Sequence, residues 1–370
     1  MRPNTVMGLL FPNMHDEALM EFTGIRAMGS IPFGGRYRLI DFPLSNMVNS
    51  GVTRVGIVTK SNYKSLMDHI GSGKAWDLSR KREGLYFLPP FGTGDDDYNG
   101  RISSLAGALP FLRSSKEEYV ILSDCHVVGN IDYRKLVNAH IQSGAEITVA
   151  CVSGNLPKNL QAPVVHTDAS GRIIDMRITD HADGDVTYGI GLYVLSRELL
   201  LQLIDVAISR QQSSFEWDIL QRQVSTRRFH VYMVPEYLLL ISSLEGYFAA
   251  NRELLKQEVR SQLFSSKHPI YTKVHDTEPA LYGLHADVDN SLIADGCNIQ
   301  GTVKNSILFR NVHVGRDAVV DNCIIMQGGV IGGRTNLQYV ITDKDVCIRE
   351  GRSLQGCADY PVAIRKNTML

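Results

Sequence analysis

The chain has 370 residues, more than a single typical core holds, so domains of roughly 100–200 residues give two or three. Hydrophobic residues make up 44% and charged residues 21%, an ordinary globular mixture with no run long enough for a bilayer span. Lys and Arg number 38 against 39 Asp and Glu, a formal net charge of −1 that excludes a general polyanion binder. The apolar run Val6–Phe11 is too short and badly flanked for a signal peptide. Six cysteines without a CxxC pair read as reduced thiols, so a cytoplasmic location is expected.

Up to about residue 255, short apolar runs alternate with helical patterns. Val6–Phe11, Arg54–Thr59, Tyr119–Leu122 and Ile147–Cys151 suit strands buried on both faces. Between them Pro43–Ser50, Tyr63–Ile70 and Tyr133–Ser143 have helical periodicity, with Pro43 suited to a first turn. This alternation predicts an α/β fold with a mainly parallel sheet. Val164–Thr167, Arg172–Met176 and Ile190–Leu195 read as a mixed or antiparallel extension. After a linker over 256–280 the texture changes. Asn290–Ile293, Asn305–Leu308, Asn322–Ile325 and Gln338–Ile341 are similar pieces, with Val312–Gly315 and Val330–Gly332 between them. A repeat this short cannot bury its own apolar face, so the coils must stack as a solenoid. The pattern resembles hexapeptide repeats of a left-handed parallel β-helix over 281–370, and glycine is expected to supply positive φ at its corners.

The segment Ile31-Pro-Phe-Gly-Gly-Arg-Tyr-Arg-Leu-Ile-Asp-Phe-Pro-Leu-Ser-Asn-Met-Val-Asn-Ser-Gly51 resembles a signature of bacterial glucose-1-phosphate adenylyltransferases, the ADP-glucose pyrophosphorylases. His69–Leu78, Tyr86–Pro90 and Ser243–Asn251 continue the match over nearly the whole chain. The resemblance implies a GT-A-like, Rossmann-like nucleotidyltransferase domain over 1–255 followed by the β-helix, in a tetramer of glycogen synthesis.

Adenylyl transfer joins two polyanions. It needs backbone amides around the triphosphate, magnesium held by carboxylates, and cations on the phosphates. The family's GGxGxRL loop is replaced by Phe11–Leu19, where Pro12 removes a donor and Asp16 and Glu17 add negative charge. Met28-Gly29 stands where a Lys-Pro pair is usual. In Leu122-Ser-Asp-Cys-His126, alignment on His126 puts Cys125 at the first metal carboxylate and turns Asp124 to the opposite face unless a bulge re-aims it. The second metal carboxylate aligns with Leu240, which cannot ligate a hard ion. On the sugar-phosphate side, Ile178-Thr179 replaces a Glu-Lys pair and Gly189 replaces a serine. No catalytic or metal-binding residue is therefore assigned, and no cofactor is expected, magnesium included.

Arg26, Arg36 and Arg38, with Gly34 and Gly35 giving backbone access, are assigned to a phosphorylated sugar effector, since guanidinium forks suit phosphate esters. The alternative is that the arginines tie the loop to carboxylates such as Asp41. Asp95–Asp97 reads as a solvated loop, His313 as a surface or packing histidine, and Trp76-Asp77 as a matched stretch without a derivable role. The chain most resembles the GlgD-type regulatory branch, a catalytically deficient subunit that modulates a catalytic glucose-1-phosphate adenylyltransferase partner in a homo- or heterotetramer. No nucleic-acid or membrane partner is expected. Two other readings remain open: an active enzyme with a rearranged metal site, and a stand-alone sugar-phosphate sensor.

Overall fold

The computed structural model describes residues 5–60, 62–80, 83–89 and 100–370, so Asp95–Asp97 lies outside the described residues. A nine-stranded sheet runs in the order Ile173–Thr179, Ala162–Thr167, Asp185–Ser196, Tyr119–Asp124, Val6–Phe11, Arg54–Val58 and Gly84–Leu88. Ile147–Asn155 pairs with Asp185–Ser196 and also with Phe229–Met233. The half containing Val6–Phe11 is parallel, whereas Asp185–Ser196 runs antiparallel to Tyr119–Asp124, which is the expected mixed extension. Val6–Phe11 is buried at every position, because helices cover both faces of a parallel sheet. Asp41–Asn49, Lys64–Ile70 and Tyr133–Ser143 are helices, the last between an Asp132 N-cap and left-handed Gly144. Among the described residues no helix is long and apolar enough to cross a membrane, and all six cysteines are free.

The C-terminal part is a left-handed parallel β-helix whose short strands stack into three five-stranded sheets. Leu292–Ile293, Ile307–Leu308, Ile324–Ile325 and Val340–Thr342 stack in register, as the repeat predicts. The corner chemistry differs from expectation. Positive φ falls on Asn290, Asn305, Asn322 and Tyr339, not on Gly315 or Gly332. Asn enters the left-handed region readily because its short amide hydrogen-bonds locally. The two glycines answer a different need. A Cβ on Gly315 would stand 2.6 Å from the Gly333 nitrogen, and one on Gly332 would stand 2.4 Å from the Glu350 nitrogen. Coils stack too closely there for any side chain.

The two parts share one apolar cluster. Phe22, Ile31, Phe33 and Phe248 pack with Ile307, Phe309 and Met326 of the β-helix. Beside it, Arg26 is 2% exposed and its Nη2 donates to Asp343 Oδ2 at 2.6 Å. The hairpin Pro32–Phe33/Tyr37–Arg38 is thereby held against the solenoid.

Candidate functional site

Two cavities gather the residues singled out in the sequence: a cleft at the tips of the central strands and a basic pocket where the two parts meet. Alternation along Tyr119–Asp124 and past its end puts Asp124 and His126 in the lining of the cleft. Cys125, between them, is buried in the opposite core with Val6 and Leu10. The expectation that Asp124 turns away is therefore corrected: Asp124 takes the cleft-facing place, and aligning on His126 shifted the register by one. Gly191, with φ +71°, makes room, since a Cβ there would stand 2.3 Å from Asp124 Oδ2.

Asp124 is not free. Arg101, at the start of helix Arg101–Gly107, donates from Nη1 to Oδ1 at 2.7 Å and from Nη2 to Oδ2 at 2.8 Å. Its Nε donates to Glu216 Oε1 at 2.8 Å. The guanidinium is 2% exposed and lies over the Phe11 and Tyr193 rings, at 4.8 and 5.5 Å. Burial by itself would raise the Asp124 carboxyl, but the Arg101 charge more than reverses this and holds it well below the usual carboxylate range. Burial would likewise lower Arg101, and the Asp124 and Glu216 charges raise it well above its ordinary value. Two carboxylates thus converge in the cleft, around a built-in cation. Glu216 is 92 residues from Asp124 in the chain, and no motif announces it.

The other positions aligned with the family's catalytic residues make packing and turn contacts. Asp16 turns inward instead of facing a triphosphate: its Oδ1 accepts the Met28 amide at 2.8 Å and its Oδ2 accepts Asn13 Nδ2 at 2.8 Å. Burial raises its carboxyl. The loop amides are committed to short helical turns over Asp16–Leu19 and Met20–Thr23. Met28 is buried, and a Cβ on Gly29 would stand 2.7 Å from Pro12 Cβ, so no phosphate-facing cation stands at that pair. Leu240 pairs with Val127 and packs on Ala162 and Tyr188. Ile178 and Gly189 line the cleft without a polar side chain, and Thr179 Oγ1 bonds the His181 carbonyl. Among the described lining residues Arg101 is the only Lys or Arg. These residues do not fit magnesium. The donors beside Asp124 are the histidine nitrogens of His15 and His126, where a hard ion requires oxygens, and Leu240 is not among the lining residues.

The junction pocket, a cavity of about 100 Å³, is lined by Arg36 and Arg38 from the hairpin, Lys273 and His275 from the linker, and Arg310 and Lys344 from the β-helix. Asp68 is the carboxylate in its wall. Arg36 is exposed, its guanidinium 5.7 Å from the Tyr37 ring. Arg38 Nη1 donates to the Ser65 carbonyl and hydroxyl at 2.7 and 2.9 Å, and burial lowers Arg38 to about 10. Burial, then Arg38 and Arg26, lower Lys344 to about 7. Arg26 lies behind the pocket on Asp343. Gly34 and Gly35 do not line it, so the expected backbone access is corrected. Gly34 donates to Asn251 Oδ1 at 3.0 Å, and both glycines hold positive φ in the hairpin turn. The arginines do not anchor on Asp41 through their side chains: Asp41 takes the Arg38 amide and His69 Nε2 instead. Sequence reasoning missed Lys273, Arg310 and Lys344, which lie in a linker and separate coils and share no local motif. Trp76 fills the core and donates to Ser45 Oγ at 3.3 Å, which gives that stretch a packing role, and His313 sits half-buried on a solenoid strand.

Residues 18–257 match the nucleotidyl transferase family model, and residues 276–356 match a GlmU-like C-terminal hexapeptide model. The chain is 35% identical to the glycogen biosynthesis protein GlgD of Bacillus subtilis, covering 98% of this chain and 96% of that protein. It is 38% identical to the protein of the same name from Geobacillus stearothermophilus, over 99% and 97%. Against the glucose-1-phosphate adenylyltransferase of Clostridium perfringens strain 13 identity is 30%, over 81% and 78%.

Proposed function

The chain belongs to the nucleotidyl transferase family and to its GlgD-type branch, and on that premise we propose that it serves glycogen synthesis as a regulatory subunit with little or no adenylyltransferase activity of its own. The observation that carries this reading is Arg101. Adenylyl transfer requires a mobile divalent ion that bridges carboxylates and phosphate oxygens. Here a covalently tethered cation occupies both Asp124 oxygens and Glu216, and it cannot bridge them to a nucleotide. The triphosphate loop and the position of Leu240 supply no replacement donors.

The partner is a catalytic glucose-1-phosphate adenylyltransferase chain, joined in a homo- or heterotetramer. The regulatory input is a phosphorylated sugar in the junction pocket. A phosphate ester there is gripped by Arg36 and Arg38 from one part and by Arg310 and Lys344 from the other, so it favours one arrangement of the two parts. Regulation needs nothing more than such a difference in contacts between two states.

The convergence of Asp124 and Glu216 favours a second reading, an active enzyme whose metal site is rearranged around them. Pyrophosphate release by the purified chain alone, and by the chain mixed with a catalytic homologue, separates the two. The chain alone is expected to be silent and to change the homologue's rate. Substantial activity of the chain alone, abolished by Asp124→Asn, establishes the second reading. A chain that stays monomeric and leaves the homologue's rate unchanged is instead a stand-alone sensor.

A further inference from the structure

We infer that His15, Asp124 and His126 form a binding site for a borderline divalent metal ion, of the zinc or cobalt type, distinct in chemistry from a magnesium site. Their ligand atoms all lie within 4.8 Å of one another. His15 Nε2 is 3.1 Å from Asp124 Oδ2, and the His15 and His126 ring centroids are 4.0 Å apart. Tetrahedral zinc, with bonds of about 2.0–2.2 Å, sets its ligand atoms roughly 3.3–3.5 Å apart. The first pair already has close to that spacing, and a side-chain rotation brings in the third.

His126 is the independent sign of a missing ligand. It is 1% exposed, it lines the cleft, and neither ring nitrogen has a hydrogen-bond partner among the described residues. Buried polar nitrogens are almost always satisfied, and an imidazole without protein partners is a metal ligand in waiting. Arg101 fixes the Asp124 carboxylate as an outer-shell partner does. Asp124, Glu216 and Arg101 together carry one net negative charge to receive the ion. Two nitrogens and one oxygen favour zinc, cobalt or nickel over magnesium. His15 ligates through Nε2 as the neutral ring, with its one proton on Nδ1. The fourth position opens into a cavity of about 190 Å³ beside Glu17 and Ser242. None of this depends on a catalytic partner.

The test titrates the full chain with Zn²⁺ by calorimetry and with Co²⁺ by visible absorption, in the presence of excess Mg²⁺. One ion per chain is expected, with intense tetrahedral cobalt bands and no effect of Mg²⁺. Affinity should fall about tenfold or more in His15→Ala and in His126→Gln, as loss of a ligand requires. His15 lies on a half-exposed loop, so its variant keeps the measurement valid if His126→Gln misfolds. Cys357→Ser, at an exposed thiol, should bind normally. The inference fails if no ion binds, in which case water satisfies His126. It fails equally if both histidine variants bind as the parent does, if Cys357→Ser abolishes binding, or if Mg²⁺ competes.

Discussion

The cleft and the junction pocket share one fold but treat charge in opposite ways. In the cleft Arg101 answers both Asp124 and Glu216, out of water, with aromatic rings closing over it, and the three together keep one negative charge. At the junction Arg36, Arg38, Lys273, Arg310 and Lys344 line a pocket whose own wall offers Asp68, with Asp295 and Asp41 beside it, and burial, then Arg38 and Arg26, depress Lys344. A buried cleft with a small negative surplus repels a triphosphate. A pocket that keeps a cationic surplus attracts anions. The cleft's charge is thus tied up mostly inside the chain, while the seam between the two parts gathers the cationic side chains on which the proposed effector reading rests.

The largest effect expected concerns the cleft. Arg101→Met leaves Asp124 buried and unpaired, and breaking a buried pair from one side costs about 3–5 kcal/mol. Denaturant unfolding should show that loss, and the double variant Arg101→Met/Asp124→Leu should recover much of it. An Arg101→Met protein of unchanged stability would show that the guanidinium is not structural. Next comes the junction. Lys344→Met and Arg38→Met should each weaken binding of sugar phosphates by about 10- to 100-fold, the worth of one charge-assisted hydrogen bond, measured by calorimetry. Equal loss on Arg101→Met with its fold intact would erase the distinction between the two sites.

A third effect is graded with pH. Lys344 falls from 10.5 unfolded to about 7 folded, so the unfolded chain binds more protons between those values and stability rises with pH across that window. A bound phosphate returns the charge, so binding takes up a proton above pH 7. Affinity should therefore weaken by up to about tenfold per pH unit from pH 7 upward. It should also weaken below about pH 6, where the phosphate loses its second charge. Lys344→Met should flatten the upper limb of that profile. The smallest effect is that of Arg36→Ala on stability, within about 0.5 kcal/mol because the side chain is exposed. Its effect on phosphate affinity should be distinctly larger.

Local chemistry by itself determined the strands Val6–Phe11 and Arg54–Val58, the helix Tyr133–Ser143 and the stacked coils after residue 280, because apolar period and caps act within a few residues. It also determined that Leu240 offers no oxygen, since no arrangement of neighbours turns leucine into a donor. Tertiary structure alone decided that Asp124 faces the cleft and that Arg101 and Glu216 meet it there. It also brought Lys273, Arg310 and Lys344 to the hairpin and made Gly315 and Gly332 sites of close coil contact, not of left-handed backbone. These facts belong to side chains tens to hundreds of residues apart. Their charges and volumes add only once sheet and solenoid have packed, so no local pattern in the chain can carry them.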